Sequence, residues 1–427
     1  MSEKKNVLII GGGGREHAIA WKLASSPKVG KLYAIPGNAG IAEIAECHDE
    51  IKATDIEKIV AFADAHPDIY LTFVAPDDPL ALGLVNALSE KGHRAFGPTK
   101  EAAIIEASKA FSKNLMKKYG IPTAAYEVFE TAEDAYKYVQ ACDIPVVLKA
   151  DGLALGKGVL ICTTREQAMA GVKEIMQDKA FGAAGGKMVV ESFLKGEEVS
   201  VLAFCDGETV KPMPASRDHK RALDGDKGLN TGGMGAYSPV PFYTHALAEK
   251  AYKTVFEPTV KAMKAEGRAF KGVLYFGLMI DGDDIRVLEY NARFGDPETQ
   301  AVLPRMKSDL FDVIESVIDG TLAQTEIEYR DEACVCVVAA SGGYPEHYEK
   351  GKPIDFGKDM PDTVVFHAGT KKCAECGKTV TNGGRVLGIT ALGKNLADAK
   401  ALAYKRIDGI KFDKMFYRRD ICKQAGN

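Results

Sequence analysis

The residues best placed to do chemistry are Glu289, Asn291 and Arg293, at the end of the stretch Val287-Leu-Glu-Tyr-Asn-Ala-Arg-Phe-Gly-Asp-Pro-Glu298. An apolar, strand-like run ends there in a carboxylate, an amide oxygen and a guanidinium. Strand alternation puts all three on one face, and Tyr290 and Ala292 on the other. Two hard oxygen donors side by side suit Mg²⁺, which takes its remaining ligands from phosphates and water. An arginine on the same face would meet a phosphate or carboxylate bidentately. The competing reading is a strand with a polar, solvated face.

Two glycine loops offer anion sites. Gly11-Gly12-Gly13-Gly14-Arg15-Glu16-His17 follows a first strand and opens a helix, so its backbone can approach an anion. It fails as a dinucleotide fingerprint: Glu16 stands where the last glycine should be, and the next strand ends Pro36-Gly37-Asn38, without a ribose-binding acid. A phosphorylated ligand lacking the adenosine half fits better, with Arg15 and His17 either adding charge or capping the helix. The second loop, Lys149-Ala-Asp-Gly152-Leu-Ala-Leu-Gly156-Lys157-Gly158, is not a P-loop, because its spacing is short by one residue and Gly158 replaces the Mg²⁺-binding hydroxyl. It is either a flap over phosphates or a glycine-rich hairpin. Glu191-Ser-Phe193-Leu194-Lys-Gly-Glu-Glu198 follows a buried strand and reads as a hinge for an adenine edge or as a solvated acidic turn.

The elements that must position these residues come in three groups. Strand and helix alternate through the first hundred residues: strands Val7–Ile10, Lys31–Ile35, Tyr70–Val74 and Arg94–Phe96, with helices from Arg15, near Ile56–Ala65 and near Leu80–Lys91. That is a doubly wound parallel sheet with its ligand edge at the strand C-termini. A helical segment near Lys100–Tyr119 leads to an α+β section with strands Val146–Ala150, Gly158–Cys162, Met188–Val190 and Glu198–Phe204. Lys211 to Pro241 shows little periodicity and reads as a long functional loop. Strands Gly272–Ile280 and Ile285–Tyr290 follow a helix near His245–Glu266. Short β segments and one helix, near Leu396–Ile407, form a small β-rich terminal unit. The expected domains are 1–103, 104–330 with a lid at about 122–193, and 331–427.

With 427 residues, 46% apolar and 27% charged, the chain is ordinary globular material. A net charge of −4 argues against broad nucleic-acid binding, and no apolar run reaches a membrane span. Nine scattered cysteines read as reduced thiols of a cytoplasmic protein. Cys373-Ala-Glu-Cys376 is a lone CxxC with no second pair, which favours a surface hairpin over a zinc site.

Flap, hinge and acidic strand occur in an order that resembles the ATP-grasp superfamily. Within it the chain is similar throughout its length to the phosphoribosylamine–glycine ligase family. The carrying motifs are GGGGREHA at Gly11–Ala18, PGN at Pro36–Asn38, KADGLALGKGV at Lys149–Val159, Asp218-His-Lys-Arg221, Asn230-Thr-Gly-Gly-Met-Gly-Ala-Tyr-Ser-Pro239, and EYNARFGDPETQ at Glu289–Gln300. Three features depart from the family pattern: Asp77 for the usual glutamate, Leu229 for a proline, and the Cys373–Cys376 insertion.

The resemblance implies that Lys149 and Lys157, with Lys109, Gly156 and Gly158, hold ATP phosphates. It assigns Glu191, Phe193, Leu194 and Glu198 to the adenine and ribose, and Glu289 and Asn291 to Mg²⁺, with Mn²⁺ as the alternative ion. Gly11, Gly12, Gly13, Gly14, Arg15, Glu16, His17, Gly37 and Asn38 would hold the 5-phosphate end of phosphoribosylamine, and Asp77 its ribose. Asp218 and Arg293 would lie near the reacting centre. The implied substrates are glycine and 5-phosphoribosylamine, joined through glycyl phosphate by a monomer or weak homodimer. Competing readings are another ATP-grasp ligase or carboxylase, a dehydrogenase prompted by the first glycine loop, and a catalytically silent nucleotide-binding regulator. The intact Glu289/Asn291 pair disfavours the last, and the missing ribose acid disfavours the dehydrogenase.

Overall fold

A computed structural model of the chain describes residues 4–153 and 158–423. The first unit is a five-stranded sheet in which the outer strands Glu46–Cys47 and Ala95–Phe96 flank Val29–Pro36, Lys5–Gly11 and Ile69–Val74, all parallel. The central strand is apolar on both faces because both are covered. Val7 and Ile9 join one hydrophobic cluster, and Leu8 and Ile10 join another.

An antiparallel sheet forms the middle of the molecule, in the order Val210–Pro212, Glu197–Asp206, Lys271–Asp281, Asp284–Asn291. One face packs on helix Glu257–Ala265 through Val199, Val201, Phe276, Val260 and Met263. The other meets the first unit through Leu202, Phe204 and Val273, in one cluster with Leu310, Phe311 and Ile314 of helix Leu310–Asp319. The outer strand carries Glu289 and Asn291. It is bulged: Gly277 pairs Glu289, but Leu278 pairs Val287, so Leu288 is the extra residue. The bulge lets Val287 and Tyr290 both enter the core, three positions apart, while Glu289 and Asn291 face outward.

A second antiparallel sheet (Tyr126–Phe129, Met188–Ser192, Val146–Ala150, Val159–Cys162) lies over that edge. Its Leu148, Met188 and Val190 form a core of their own with Val139 of helix Ala132–Ala141 and Val172 of helix Arg165–Val172.

The third sheet corrects the reading of Lys211–Pro241 as a loop. That segment contains strands Arg217–Asp218 and Gly235–Ser238, and a hairpin of Arg221–Leu223 with Lys227–Asn230. Gly235–Ser238 pairs with Cys334–Val337 of strand Ala333–Ser341, so a piece of the middle of the chain is built into the C-terminal sheet with Arg385–Gly393 and Thr363–His367. Strands of two to four residues carry too little alternation to be visible, and this partner lies about a hundred residues away. Arg418 locks the hairpin. It is almost fully buried and donates to Asp226, Asp420 and the carbonyl of Arg221.

Two expected helices are each divided. Leu80–Lys91 becomes Asp77–Leu82 and Leu84–Glu90, because Gly83 lies in the left-handed region at φ +92°. Lys100–Tyr119 breaks at Ser108, whose hydroxyl caps the following helix Lys109–Tyr119 by accepting from the Phe111 amide. Asp151, beside the second glycine loop, accepts from Ser108 Oγ and from the Ala110 amide, which ties that helix to the overlying sheet. Among the described residues no helix is long and apolar enough to cross a membrane.

Candidate active site

The three sheets enclose a cleft of about 770 Å³, of a size that accepts a nucleotide and a second small substrate. One end is apolar, lined by Val147, Val159, Ile161, Phe193, Met279 and Leu288. Phe193 and Leu194 also border a smaller outer hollow with Lys195, Asp281 and Arg286. A flat aromatic base fits between the overlying sheet and the bulged strand.

Beyond the slot come cations. Lys109 opens its helix facing the cleft and donates to the Gly152 carbonyl at 2.9 Å. Burial holds its pKa below the usual lysine range, with Glu289 acting the other way. Lys149 donates to the Leu288 carbonyl at 3.0 Å and lies 2.8 Å from Glu191 Oε1. The role implied for Glu191 needs revision here. Its carboxylate is buried between Lys113 and Lys149, so adenine would meet the hinge through backbone groups and not through this side chain.

Glu289 lies in a ring of positive charge. Burial alone would raise its pKa, but Lys220, Lys149, Lys109 and Arg293 hold it below the usual carboxylate range. Lys220 bridges it at 3.9 Å to Glu198, with which it forms a close ion pair. Gly277 faces Glu289 across the ladder, where an added Cβ would come within 3.1 Å of Glu289 Cγ. Two hard oxygen donors, one anionic and both open to the cleft, fit Mg²⁺ completed by phosphate oxygens. Among the described residues no group of three or more His, Cys, Asp or Glu is placed to hold a metal by itself.

Arg293 is clamped at the far end of the cleft. Its Nη2 lies 2.8 Å from Glu106 Oε1 and 3.7 Å from Asp77 Oδ2, and Glu106 Oε2 accepts from the Ala292 amide at 2.7 Å. Burial pushes Glu106 up to about 7 despite Arg293. Asp77 goes the other way: burial opposes ionisation, but Arg293 and Arg15 hold it low. Its short side chain reaches Arg293, and Arg15 acts from farther off. Asp218 stands across the cleft on its short strand. Burial pushes it up to about 8, with Lys220 acting downward and Glu298, Glu198 and Glu289 adding to the rise.

Of the residues assigned from sequence, Arg15, Asp77, Lys109, Lys149, Gly158, Glu191, Phe193, Leu194, Glu198, Asp218, Glu289, Asn291 and Arg293 all line this cleft. Gly156 and Lys157 lie outside the described residues. The first glycine loop is different. Glu16 turns back into it, accepting from the Gly13 amide at 2.6 Å and from Arg15 Nε at 2.7 Å, and the Arg15 amide donates to Asp296 at 3.2 Å. Gly12 and Gly14 leave room for neighbours, since a Cβ there would lie 2.3 Å from the Gly37 carbonyl and 2.4 Å from Gln300 Nε2. Gly11, at φ +119°, gives way to the Glu16 side chain, and Gly37 to Cys47.

His17 and Asn38 are structural. His17 Nδ1 accepts from the His367 amide at 2.8 Å, and burial, helped by His367, pushes its pKa down to about 3. Asn38 donates to the carbonyls of Gly12 and His367 and accepts from the amides of Gly40 and Ile41. Both side chains join the loop to the C-terminal sheet.

Sequence pattern alone assigns no role to Lys113, Glu106, Lys220, Asp296, Glu298, Tyr344 or Arg385, all of which line the cleft. Lys220, Asp296 and Glu298 fall inside the motifs that carry the resemblance, and Lys113 follows Lys109 by one helical turn. Arg385 and Tyr344 have no local signal. Arg385 donates to the carbonyls of Gly232 and Asp296, and the Tyr344 hydroxyl accepts from the Gly232 amide. Cys373 and Cys376 lie at the tip of a hairpin of Thr370–Lys372 with Thr379–Thr381, as expected of a surface turn.

An apolar base slot, a row of lysines and an acidic strand edge between two antiparallel sheets define an ATP-dependent ligase of the ATP-grasp class. Models of the phosphoribosylglycinamide synthetase N, ATP-grasp (A) and C domains match residues 5–106, 107–299 and 334–424, and the chain belongs to that family. It is 50% identical to the phosphoribosylamine–glycine ligase of Halalkalibacterium halodurans over 98% of this chain and 97% of that one. It is 49% identical to the enzyme of that name from Neisseria meningitidis serogroup A, over 99% of both. The crystal structure of phosphoribosylamine–glycine ligase from Thermotoga maritima matches with a TM-score of 0.86 at 36% identity, covering 97% of this chain and all (100%) of that one. The biotin carboxylase domain of 2-oxoglutarate carboxylase from Hydrogenobacter thermophilus, solved with MgADP and bicarbonate, shares the fold with a TM-score of 0.75 at 16% identity, covering 98% and 92%.

The raised pKa of Asp218 makes stability depend on pH. The folded protein keeps this proton up to about pH 8, whereas the unfolded side chain releases it near 3.8. Folding therefore takes up a proton between those values, and stability falls as pH rises through that window. Asp218→Asn removes this penalty. Its thermal unfolding midpoint should exceed that of the parent at pH 8, with the gap closing towards pH 4. Parallel pH profiles for the two proteins would contradict the assigned ionisation.

Proposed function

We propose that the chain joins glycine to 5-phosphoribosylamine at the expense of ATP, giving glycinamide ribonucleotide, ADP and phosphate in cytoplasmic purine synthesis. The observation that carries this reading is a single cleft in which lysines and Glu289 face the base slot at one end while Arg293 and Arg15, with Asp77 between them, form a second charged end. A nucleotide and a phosphorylated sugar amine need such a two-ended site. The relatives that match nearly the whole chain carry the name of this reaction.

A glycine carboxylate cannot expel oxide, so one of its oxygens first attacks the γ-phosphorus and ADP leaves. The amine then attacks the acyl carbon of glycyl phosphate, the C–O bond breaks and phosphate departs. The protein supplies position and charge, and no nucleophilic side chain is required. Lys109 and Lys149 neutralise the phosphates, and Glu289 and Asn291 would hold Mg²⁺, or Mn²⁺ in its place, which would supply charge neutralisation for the transferring group. Arg293, fixed by Glu106, orients the glycine carboxylate. Asp218, across the cleft on its short strand, takes the proton lost by the amine. The 5-phosphate lies at the mouth of the first glycine loop beside Arg15. The overlying sheet, which has its own core, acts as a lid that keeps water from the acyl phosphate.

ADP release should require both glycine and phosphoribosylamine, each omitted in turn. Equal release with bicarbonate and no amino acid would point to a carboxylase instead.

Glu289→Gln should lower kcat on the order of a hundredfold or more, because a metal ligand at a developing charge is lost. Asp284→Asn, at the exposed start of the same strand, should cost little. Equal, mild losses in steady-state assays of the two variants would remove Glu289 from the metal site.

A further inference from the structure

Helix Lys109–Tyr119 carries Lys109 and Lys113 one turn apart on one face. Both line the cleft, Lys113 with a side chain only 2% exposed. Lys113 Nζ donates to Glu191 Oε2 at 2.8 Å and to Thr123 Oγ1 at 2.7 Å, and Thr123 donates to the Val287 carbonyl at 2.7 Å. Lys149 stands on the other oxygen of the same carboxylate and donates to the next carbonyl, Leu288. Two ammonium groups thus share one buried carboxylate, and both are tied to the strand just ahead of Glu289.

The two lysines are not equivalent. Lys113 makes an aligned hydrogen bond to Glu191. Lys149 is as close, but among the described residues Glu191 Oε1 has no aligned donor, so that contact is charge attraction. A buried carboxylate with no counter-ion is strongly unfavourable, whereas one with two can release the weaker held.

We propose that Lys113 is a positioning residue for nucleotide binding: it neutralises Glu191 in place and so frees Lys149 for the phosphates. Lys113 itself never touches the nucleotide. The inference rests on the ATP-binding reading of the cleft and assigns the third lysine a purpose within it. With Lys113 removed, Lys149 is the one partner left to Glu191 among the described residues, and a phosphate must compete with a buried ion pair for it.

The test is calorimetric titration of Mg–ADP into the parent, Lys113→Met, Glu191→Gln and the double variant, without glycine or amine. Lys113→Met should weaken binding on the order of tenfold or more. Adding Glu191→Gln to Lys113→Met should restore affinity to within about threefold of Glu191→Gln alone, a coupling that a double-mutant cycle isolates. Loss of packing alone would weaken binding whichever residue stands at 191, so a double variant no tighter than Lys113→Met overturns the proposal. So does parental affinity in Lys113→Met. If Lys113→Met does not fold, the double variant, which has no bare charge, still decides: affinity matching Glu191→Gln supports the proposal and a tenfold deficit overturns it. A parent that fails to bind Mg–ADP would overturn the nucleotide reading itself, a result distinct from a binding parent with an uncoupled Lys113.

Discussion

Glu289 stays ionised in the wall of a deep cleft because cations from three parts of the chain converge on it. Lys109 comes from a helix, Lys149 from the overlying sheet, and Lys220 from the segment leading into the C-terminal sheet. Lys220 comes within 3.9 Å of Glu289, and Lys149, Lys109 and Arg293 act on it from farther off, so that together they offset the cost of keeping this carboxylate charged. The same contacts hold the cations close together, where they would otherwise repel. Each sheet supplies part of a balance that no single sheet could sustain. A polyanion entering the cleft meets lysines that are already in place and only partly neutralised.

The C-terminal sheet belongs to this balance as much as the others. Its strand Arg385–Gly393 sends Arg385 to the Asp296 carbonyl, beside the Arg293 end of the cleft, while His367 closes the first glycine loop through His17 and Asn38. Strands Arg217–Asp218 and Gly235–Ser238 belong to that sheet, so Asp218 and the Lys220 that follows it are held where the middle and the end of the chain meet. Removing the last ninety or so residues would therefore disturb the reacting centre as well as expose apolar surface.

Much of this architecture is legible in the order of residues alone. Regular alternation marks the strands, and the apolar runs of the first unit mark a sheet covered on both faces. Residue types at Lys149, Glu289, Asn291 and Arg293 point to an ATP and metal site. The rest is hidden for physical reasons. Glu16 and Asn38 look available to a ligand because nothing local shows that their polar atoms are already satisfied by backbone groups, some more than three hundred residues away. His17 reads as a charge in sequence but is held neutral by burial against His367. Lys113 looks like any surface lysine until the overlying sheet sets Glu191 beside it. Gly83 and Ser108 divide apparently continuous helices by backbone geometry and capping, which periodicity does not register.

The central claim is that this cleft activates a carboxylate by phosphoryl transfer before the amine attacks. Glycine labelled with ¹⁸O in both carboxylate oxygens tests it directly, with the released phosphate and the amide product read by mass spectrometry. The account predicts one label in the phosphate and one in the amide of every product molecule. Unlabelled phosphate, with ADP formed in step with the amide, would show that no acyl phosphate is made and would contradict the account.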